Sequence, residues 1–324
     1  MKIGIVGCGA LGSYYGAKLC RDGQETHLLL RSDYEVVRRN GVRVLSNDGD
    51  FHVNPKCARE PSEIGICDLV LVCLKTTAND QFQNLIPPLV GKETGILTLQ
   101  NGLGNEAQLA KLFGSEKILG GLCFVCANRL EPGKIQVIDS GKILLGEFER
   151  WPEPRTHDIA SMFRHAGVPT KVTENLEQAH WEKLVWNVPF NGLGVAGAAG
   201  YEAVLAGKLA DGGKTGRCLD TDNLLSDARW EKLVRELMGE VISVAQALGY
   251  GVSGDEAEKQ VERTRAMSAY KASTLIDFEH GQPLELEALF FEPLRQAKKT
   301  GVQTPRLSAL CKVLEELNSR KEND

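Results

Sequence analysis

The hexapeptide GCGALG at residues 7–12 constrains this chain more than any other stretch, because it stands between an apolar run and a helical pattern. KIGIV before it reads as a strand; ALGSYYGAKLCRDG after it reads as a helix closed by Gly23. The pattern G-x-G-x-x-G is weak by itself, but directly after a strand and opening a helix it has a mechanical meaning. Gly7 permits the tight turn, Gly9 lets the backbone approach a pyrophosphate, and Gly12 allows close helix–strand packing. The free N–H groups at Ala10 and Leu11 then face the anion. A dinucleotide-binding loop is the reading, against a glycine-rich turn with no ligand.

Further short apolar runs follow: THLLLR, DLVLVCLK, GILTLQNG and ILGGLCFV, separated by segments that can carry helices. Continuous rather than alternating apolar strands predict a parallel sheet covered on both faces, the Rossmann-like doubly wound α/β arrangement. Segments around 42–53 and 134–146 read as short strands with polar turns, forming edge hairpins. From about residue 174 strand signals stop. Leu237, Val241, Val244, Ala245 and Leu248 have helical spacing, as do Leu286, Leu289, Phe290 and Leu294, and the run from Leu307 to Leu317. With 324 residues the chain exceeds the roughly 250–300 at which one core stops growing. The expectation is an NADP-binding Rossmann domain over 1–173 and an all-α C-terminal domain over 174–324, its last residues, SRKEND, frayed.

A net charge of −5 speaks against nucleic acid or an anionic membrane surface as partner. No apolar run approaches the ~20 residues of a membrane span, and the N-terminus enters a strand with no signal peptide. Nine cysteines form an odd set placed mostly in apolar segments, which predicts reduced thiols and a cytoplasmic protein. Cys123 and Cys126 make a C-x-x-C, but in a strand-like run with no second pair or close histidine, so packing is expected and no metal.

The end of the second strand separates the dinucleotides. An acid there binds the ribose 2′-OH, while an arginine accommodates a 2′-phosphate. Arg31 and Ser32 stand at that point, with Arg38 and Arg39 near and Asp33 close enough to blur the contrast. NADP(H) is the reading. Ligands of such sheets bind beyond the carboxyl ends of the strands, where Lys75 follows DLVLVCL and Asn101 follows GILTLQ.

In HWEKLVWNVPFNGLG, residues 180–194, Lys183, Asn187 and Asn191 are four apart and share one helical stripe. Leu184 and Val188 flank it on one side, Trp186 and Phe190 on the other. Burying an ammonium and two amides there is unfavourable unless they meet partners. Pro189 cannot donate to the Val185 carbonyl, so a kink or an end is expected. Reduction of a ketone leaves an alkoxide that needs a proton. A lysine of ordinary pKa about 10.4 becomes a better acid when desolvated. Later in the chain, Ser273 and Asp277 share a helical face, and Glu285 follows a turn at Gly281 beside His280.

These residues together resemble the ketopantoate reductase family (2-dehydropantoate 2-reductases). The shared points are GCGALG, Arg31, LKT with Lys75, QNGLG with Asn101, WEKLVWNVPFN, and STLIDFEHGQPLELE, in the family's order over nearly the whole chain. The resemblance implies reduction of ketopantoate by NADPH to pantoate, a coenzyme A precursor. It implies Lys183 as general acid and Glu285 as a second catalytic or substrate-binding carboxylate. Asn187, Asn191 and Ser273 become substrate contacts, and Asn101 a contact in the cofactor cleft. Two departures stand out. Residues 199–230 form a longer, more polar connection than is usual, and Leu284-Glu285-Leu286-Glu287 replaces the usual T-E-I-D. Other small 2-oxo or hydroxy acids therefore remain as substrates, as does a non-catalytic NADP sensor. A homodimer through the helical domain is left open.

Overall fold

The computed structural model describes residues 1–210 and 215–323. The chain divides into two compact units, Met1–Leu176 and Glu177–Asp324.

Among the described residues of the first unit, ten strands form one sheet. They are β1 (Lys2–Val6), β2 (Glu25–Leu29), β3 (Val42–Ser46), β4 (Phe51–Val53), β5 (Lys56–Ala58), β6 (Leu69–Val72), β7 (Gly95–Thr98), β8 (Ile118–Glu131), β9 (Lys134–Glu147) and β10 (Thr170–Val172). The run β5-β2-β1-β6-β7-β8 is parallel throughout and opens outward from β1 in both directions. That is the doubly wound order, as the continuous apolar strands predict. Alternate residues serve opposite faces: Ile3 and Ile5 join one core cluster with Leu69 and Leu71, while Val6, Val70 and Val72 join the other.

The helices of this unit are α1 (Ala10–Arg21), α2 (Tyr34–Asn40), α3 (Pro61–Ile64), α4 (Phe82–Leu85), α5 (Asn105–Phe113) and α6 (Pro154–His165). Every residue of α1 from Gly12 to Leu19 is buried. A helix hidden all round needs cover on both sides. Here the parallel strands cover one side, and β3, β4 and the outer parts of β8 and β9 cover the other.

Residues 42–53 form an edge hairpin, β3 against β4. The expectation of a second edge hairpin at 134–146 is corrected. β9 runs antiparallel to β8 and has its other side taken by β3 along its first half and β10 along its second. Fourteen residues are long enough to pair with two short strands in succession.

Among its described residues the second unit holds helices and no strand. They are α7 (Leu176–Ala196), whose first residue closes the first unit, then α8 (Tyr201–Ala206), α9 (Thr221–Ser226), α10 (Ala228–Ala247), α11 (Glu256–Arg265), α12 (Ser273–Glu279), α13 (Glu292–Thr300) and α14 (Pro305–Asn323). Helix α7 does not end at Pro189; it continues to Ala196. Apolar residues line all sides of its later turns, so packing outweighs the one missing hydrogen bond. Residues 199–230 are no single loop. They hold α8 and α9, with Val204, Leu224 and Leu225 buried; residues 211–214 lie outside the described residues. The frayed tail is likewise replaced by helix as far as Asn323, and Asp324 lies outside the described residues.

Candidate functional site

The first unit gathers its candidate groups along one edge of the sheet. Because β1, β2, β6 and β7 are parallel, the segments leaving their carboxyl ends emerge together. They carry the glycine loop, Arg31, Lys75 and Asn101.

Gly7 follows β1 with φ 97°, the left-handed region that favours glycine. A Cβ there would press into the backbone of Cys73 and Leu74 just beyond β6, and one at Gly12 would strike the Gly7 carbonyl. A Cβ at Gly9 would meet nothing within 4 Å. Two glycines thus pack the chain against itself, and the third leaves an open approach. Helix α1 starts at Ala10 with no side-chain cap and no acid in its first turn. Its first N–H groups, Ala10 and Leu11 included, keep their capacity for an anion. The loop fits the pyrophosphate of a dinucleotide.

Past β2, Arg31 and Ser32 are exposed, and Asp33 is buried. Asp33 Oδ1 accepts from Ser32 Oγ at 2.9 Å and from Arg129 Nη2 at 2.7 Å. The guanidiniums of Arg38 and Arg59 lie 5.8 and 4.5 Å from the Tyr34 ring centre. Lys75 is exposed, and its carbonyl accepts from the Ala78 N–H at 2.9 Å; Asn101 is half-buried.

A chain of amides ties those last two loops together. Gln100 Nε2 donates to the Leu74 carbonyl at 3.0 Å and to Asn79 Oδ1 at 2.8 Å. Asn79 Nδ2 donates to Asn105 Oδ1 at 2.9 Å, and Asn105 Nδ2 donates to the Asn101 carbonyl at 3.1 Å. Gln100 and Asn105 are buried, so these bonds fix the backbone on which Lys75 and Asn101 stand.

In the second unit the polar stripe of α7 is partly sunk into the protein. Lys183 is half-buried, Asn187 is 6 % exposed and Asn191 is 2 % exposed. Asn191 Oδ1 accepts from the Thr274 N–H at 3.0 Å and from Ser273 Oγ at 3.3 Å, while its Nδ2 donates to Asn187 Oδ1 at 3.4 Å. Asn191 therefore caps the start of α12 from another helix and joins Asn187 to Ser273, whose residue is exposed. Trp186 holds the next face, with Nε1 donating to Thr264 Oγ1 at 2.9 Å and its ring 5.0 Å from that of Phe190.

Glu285 is 5 % exposed and stands two residues before a wide turn, Glu287–Phe291, with π-helical bonding. Pro293 cannot donate to the Leu289 carbonyl, and the Glu292 N–H reaches back to Glu287 instead. Glu287 projects to solvent and pairs with Arg295. Of the two glutamates in LELE, the fold buries the first. Asp277 is half-buried and His280 exposed.

The sequence matches the family model described as ketopantoate reductase PanE/ApbA over residues 3–150, and that of the C-terminal part of the same enzyme over 217–318. It is 37% identical to a 2-dehydropantoate 2-reductase of Nostoc sp., over 98% of this chain and 96% of the relative. The crystal structure of a 2-dehydropantoate 2-reductase from Geobacter metallireducens superposes with TM-score 0.88 at 45% identity, over 98% of this chain and 99% of that one. A second, from Methylococcus capsulatus, gives 0.86 at 33%, over 100% and 99%. The chain belongs to the ketopantoate reductase family. It is accordingly an NADP-dependent oxidoreductase of the type that reduces 2-dehydropantoate to pantoate. D-mandelate dehydrogenase with NADH, at 20% identity and TM-score 0.83 over 99% of this chain and 100% of that one, shares the fold. Among the described residues no helix is long and apolar enough to cross a membrane.

Three features around these candidate residues escaped the sequence reading: Arg129 on Asp33, the Gln100–Asn79–Asn105 bonds, and Arg59 over Tyr34. The amides gave a faint signal, since QNGLGNEAQ is dense in side chains that bond to backbone. Arg129 gave none, standing 96 residues from its partner.

Proposed function

We propose that the first unit binds NADPH and that the second supplies the acid and the substrate contacts for reduction of 2-dehydropantoate. The glycine loop takes the pyrophosphate, Arg31 meets the 2′-phosphate, and Lys75 and Asn101 complete the cofactor edge. When bound, the reduced nicotinamide supplies hydride to the 2-keto carbon. As that bond forms, the carbonyl electrons move onto oxygen, and Lys183 Nζ donates a proton to it, giving the 2-hydroxy acid. Asn187, Asn191 and Ser273 orient the substrate, and Glu285 binds its polar end or holds the lysine charged. The observation that carries this reading is the hydrogen-bonded stripe on α7. Two buried amides are joined to Ser273, with a half-buried lysine one turn before them. Because Asn191 also caps α12, the same bonds that fix the helices hold the stripe's polar groups in place.

The test is loss of reduced-nicotinamide absorbance with 2-dehydropantoate, comparing NADPH with NADH and the wild type with two variants. Lys183→Ala loses turnover by on the order of 10²- to 10⁴-fold while NADPH affinity holds. Near-normal turnover would remove Lys183 from the mechanism. Arg31→Ala weakens NADPH far more than NADH; equal losses would mean that Arg31 does not read the phosphate. Cytoplasmic action and a homodimer through the second unit belong to the same reading. Nine free cysteines suit a reducing compartment, and sedimentation mass tests the dimer.

A further inference from the structure

The turn after β2 carries a carboxylate two residues beyond Arg31, and a carboxylate at that place normally selects NAD by accepting from the ribose 2′-OH. Asp33 is held otherwise. Its side chain is 8% exposed and takes Arg129 Nη2 at 2.7 Å and Ser32 Oγ at 2.9 Å, both on Oδ1. Arg129 arrives from the far part of β8. That strand pairs with β7 over its first residues only and then continues with β9 to Glu131. The start of β9 pairs with β3, and the Arg43 N–H donates to the Gly133 carbonyl at 2.8 Å. The β8–β9 turn is thereby tied to the segment that follows α2, close to where β2 ends. The neighbouring cation Arg59 is engaged by Glu35 at 2.5 Å.

We infer that Arg129 is a specificity-determining positioning residue. By holding Asp33 buried and paired, it withholds that carboxylate from the cofactor's 2′-substituent and leaves the position to Arg31. This rests on the reading of Arg31 as the group that meets the 2′-phosphate. Without Arg129, the Asp33 carboxylate has no cation partner, and an uncompensated charge is unfavourable where it now lies. It turns to water, on the side where Arg31 stands. There it repels a 2′-phosphate and accepts from a 2′-hydroxyl.

The experiment is the ratio of kcat/KM for NADPH to that for NADH, in the wild type, Arg129→Ala, Arg129→Gln, Arg129→Ala with Asp33→Asn, and Arg31→Ala. Each ratio is taken on one preparation, so a loss of folded protein cancels. Both Arg129 variants lower the ratio by on the order of tenfold, the effect of about 1.4 kcal/mol. Asp33→Asn restores most of it in the Arg129→Ala background. An unchanged ratio in the Arg129 variants overturns the inference. So does a fall that Asp33→Asn leaves in place, because Arg129 would then act on the phosphate directly. If Arg31→Ala lowers the ratio and the Arg129 variants do not, this inference alone fails. If Arg31→Ala has no effect, the reading beneath it fails as well.

Discussion

Asn191→Leu tests the claim that a buried amide on α7 holds α12 in place. Leucine has nearly the shape of asparagine, so the change removes polarity more than volume. Three bonds go: Thr274 N–H and Ser273 Oγ into Asn191 Oδ1, and Nδ2 into Asn187. They are unequal. The Ser273 hydroxyl belongs to an exposed residue and turns to water. The bond to Asn187 is 3.4 Å long, near the limit at which such contacts count. The Thr274 N–H is different: its residue is 2 % exposed, and it lies in the first turn of α12, where the helix offers no acceptor. A buried donor left unpaired costs about 1–3 kcal/mol, and loss of a helix cap costs about 0.5–2 kcal/mol, so the two routes overlap at about 1–2 kcal/mol. For a unit of this size that lowers the melting temperature by roughly 2–8 °C. Calorimetry measures the shift, and hydrogen exchange at the Thr274 amide reports its cause. Asn187→Leu removes only the long bond and should cost well under half as much. An unchanged Thr274 exchange rate, or a larger loss in Asn187→Leu than in Asn191→Leu, would refute the reasoning.

Other perturbations have equally definite outcomes. Gly9→Ala leaves stability intact, since a Cβ there meets nothing within 4 Å, but it raises the Kd for NADPH; Gly12→Ala collides with the Gly7 carbonyl and lowers the melting temperature too. Equal melting shifts in the two variants would contradict this account of the loop. Burial pushes the Cys67 thiol up from 9.0 to about 11, with Lys2 opposing and Asp68 and Glu25 reinforcing. Because the folded pKa lies above the unfolded one, Cys67 contributes stability below pH 9.0 and loses that contribution as pH rises through about 11. Melting temperature against pH should therefore fall less steeply across that window in Cys67→Ala, and a parallel slope would count against the burial.

The doubly wound sheet and the helical second half were legible in the sequence because both depend on local periodicity. Runs such as DLVLVC leave no polar face, so the sheet must be covered twice, and GCGALG fixes where the first strand turns into helix. Family membership was legible for a related reason. Its motifs are short, contiguous and in order, and each carries its own chemistry. Pairings between distant segments were not. Nothing in residues 134–146 says that β9 will be enclosed by β8, β3 and β10, because an inner and an edge strand of the same composition differ only in what lies beside them. The two glutamates in LELE sit in the same local composition, so apart from the family pattern nothing in the sequence says that Glu285 is buried and Glu287 exposed. Asn191 could be singled out as a polar residue in an apolar stripe. That its oxygen would cap α12 depended on a helix 82 residues away. Arg129 marks the limit most plainly. A solvated arginine and one clamped on a buried carboxylate have the same neighbours in sequence, and the difference arises only when the extended β8–β9 pair is joined to β3 and its turn comes to lie near the end of β2. The sequence by itself determined the elements, their class and the chemistry they can carry. Tertiary structure decided which polar groups meet, because a hydrogen bond depends on distances that chain order does not encode.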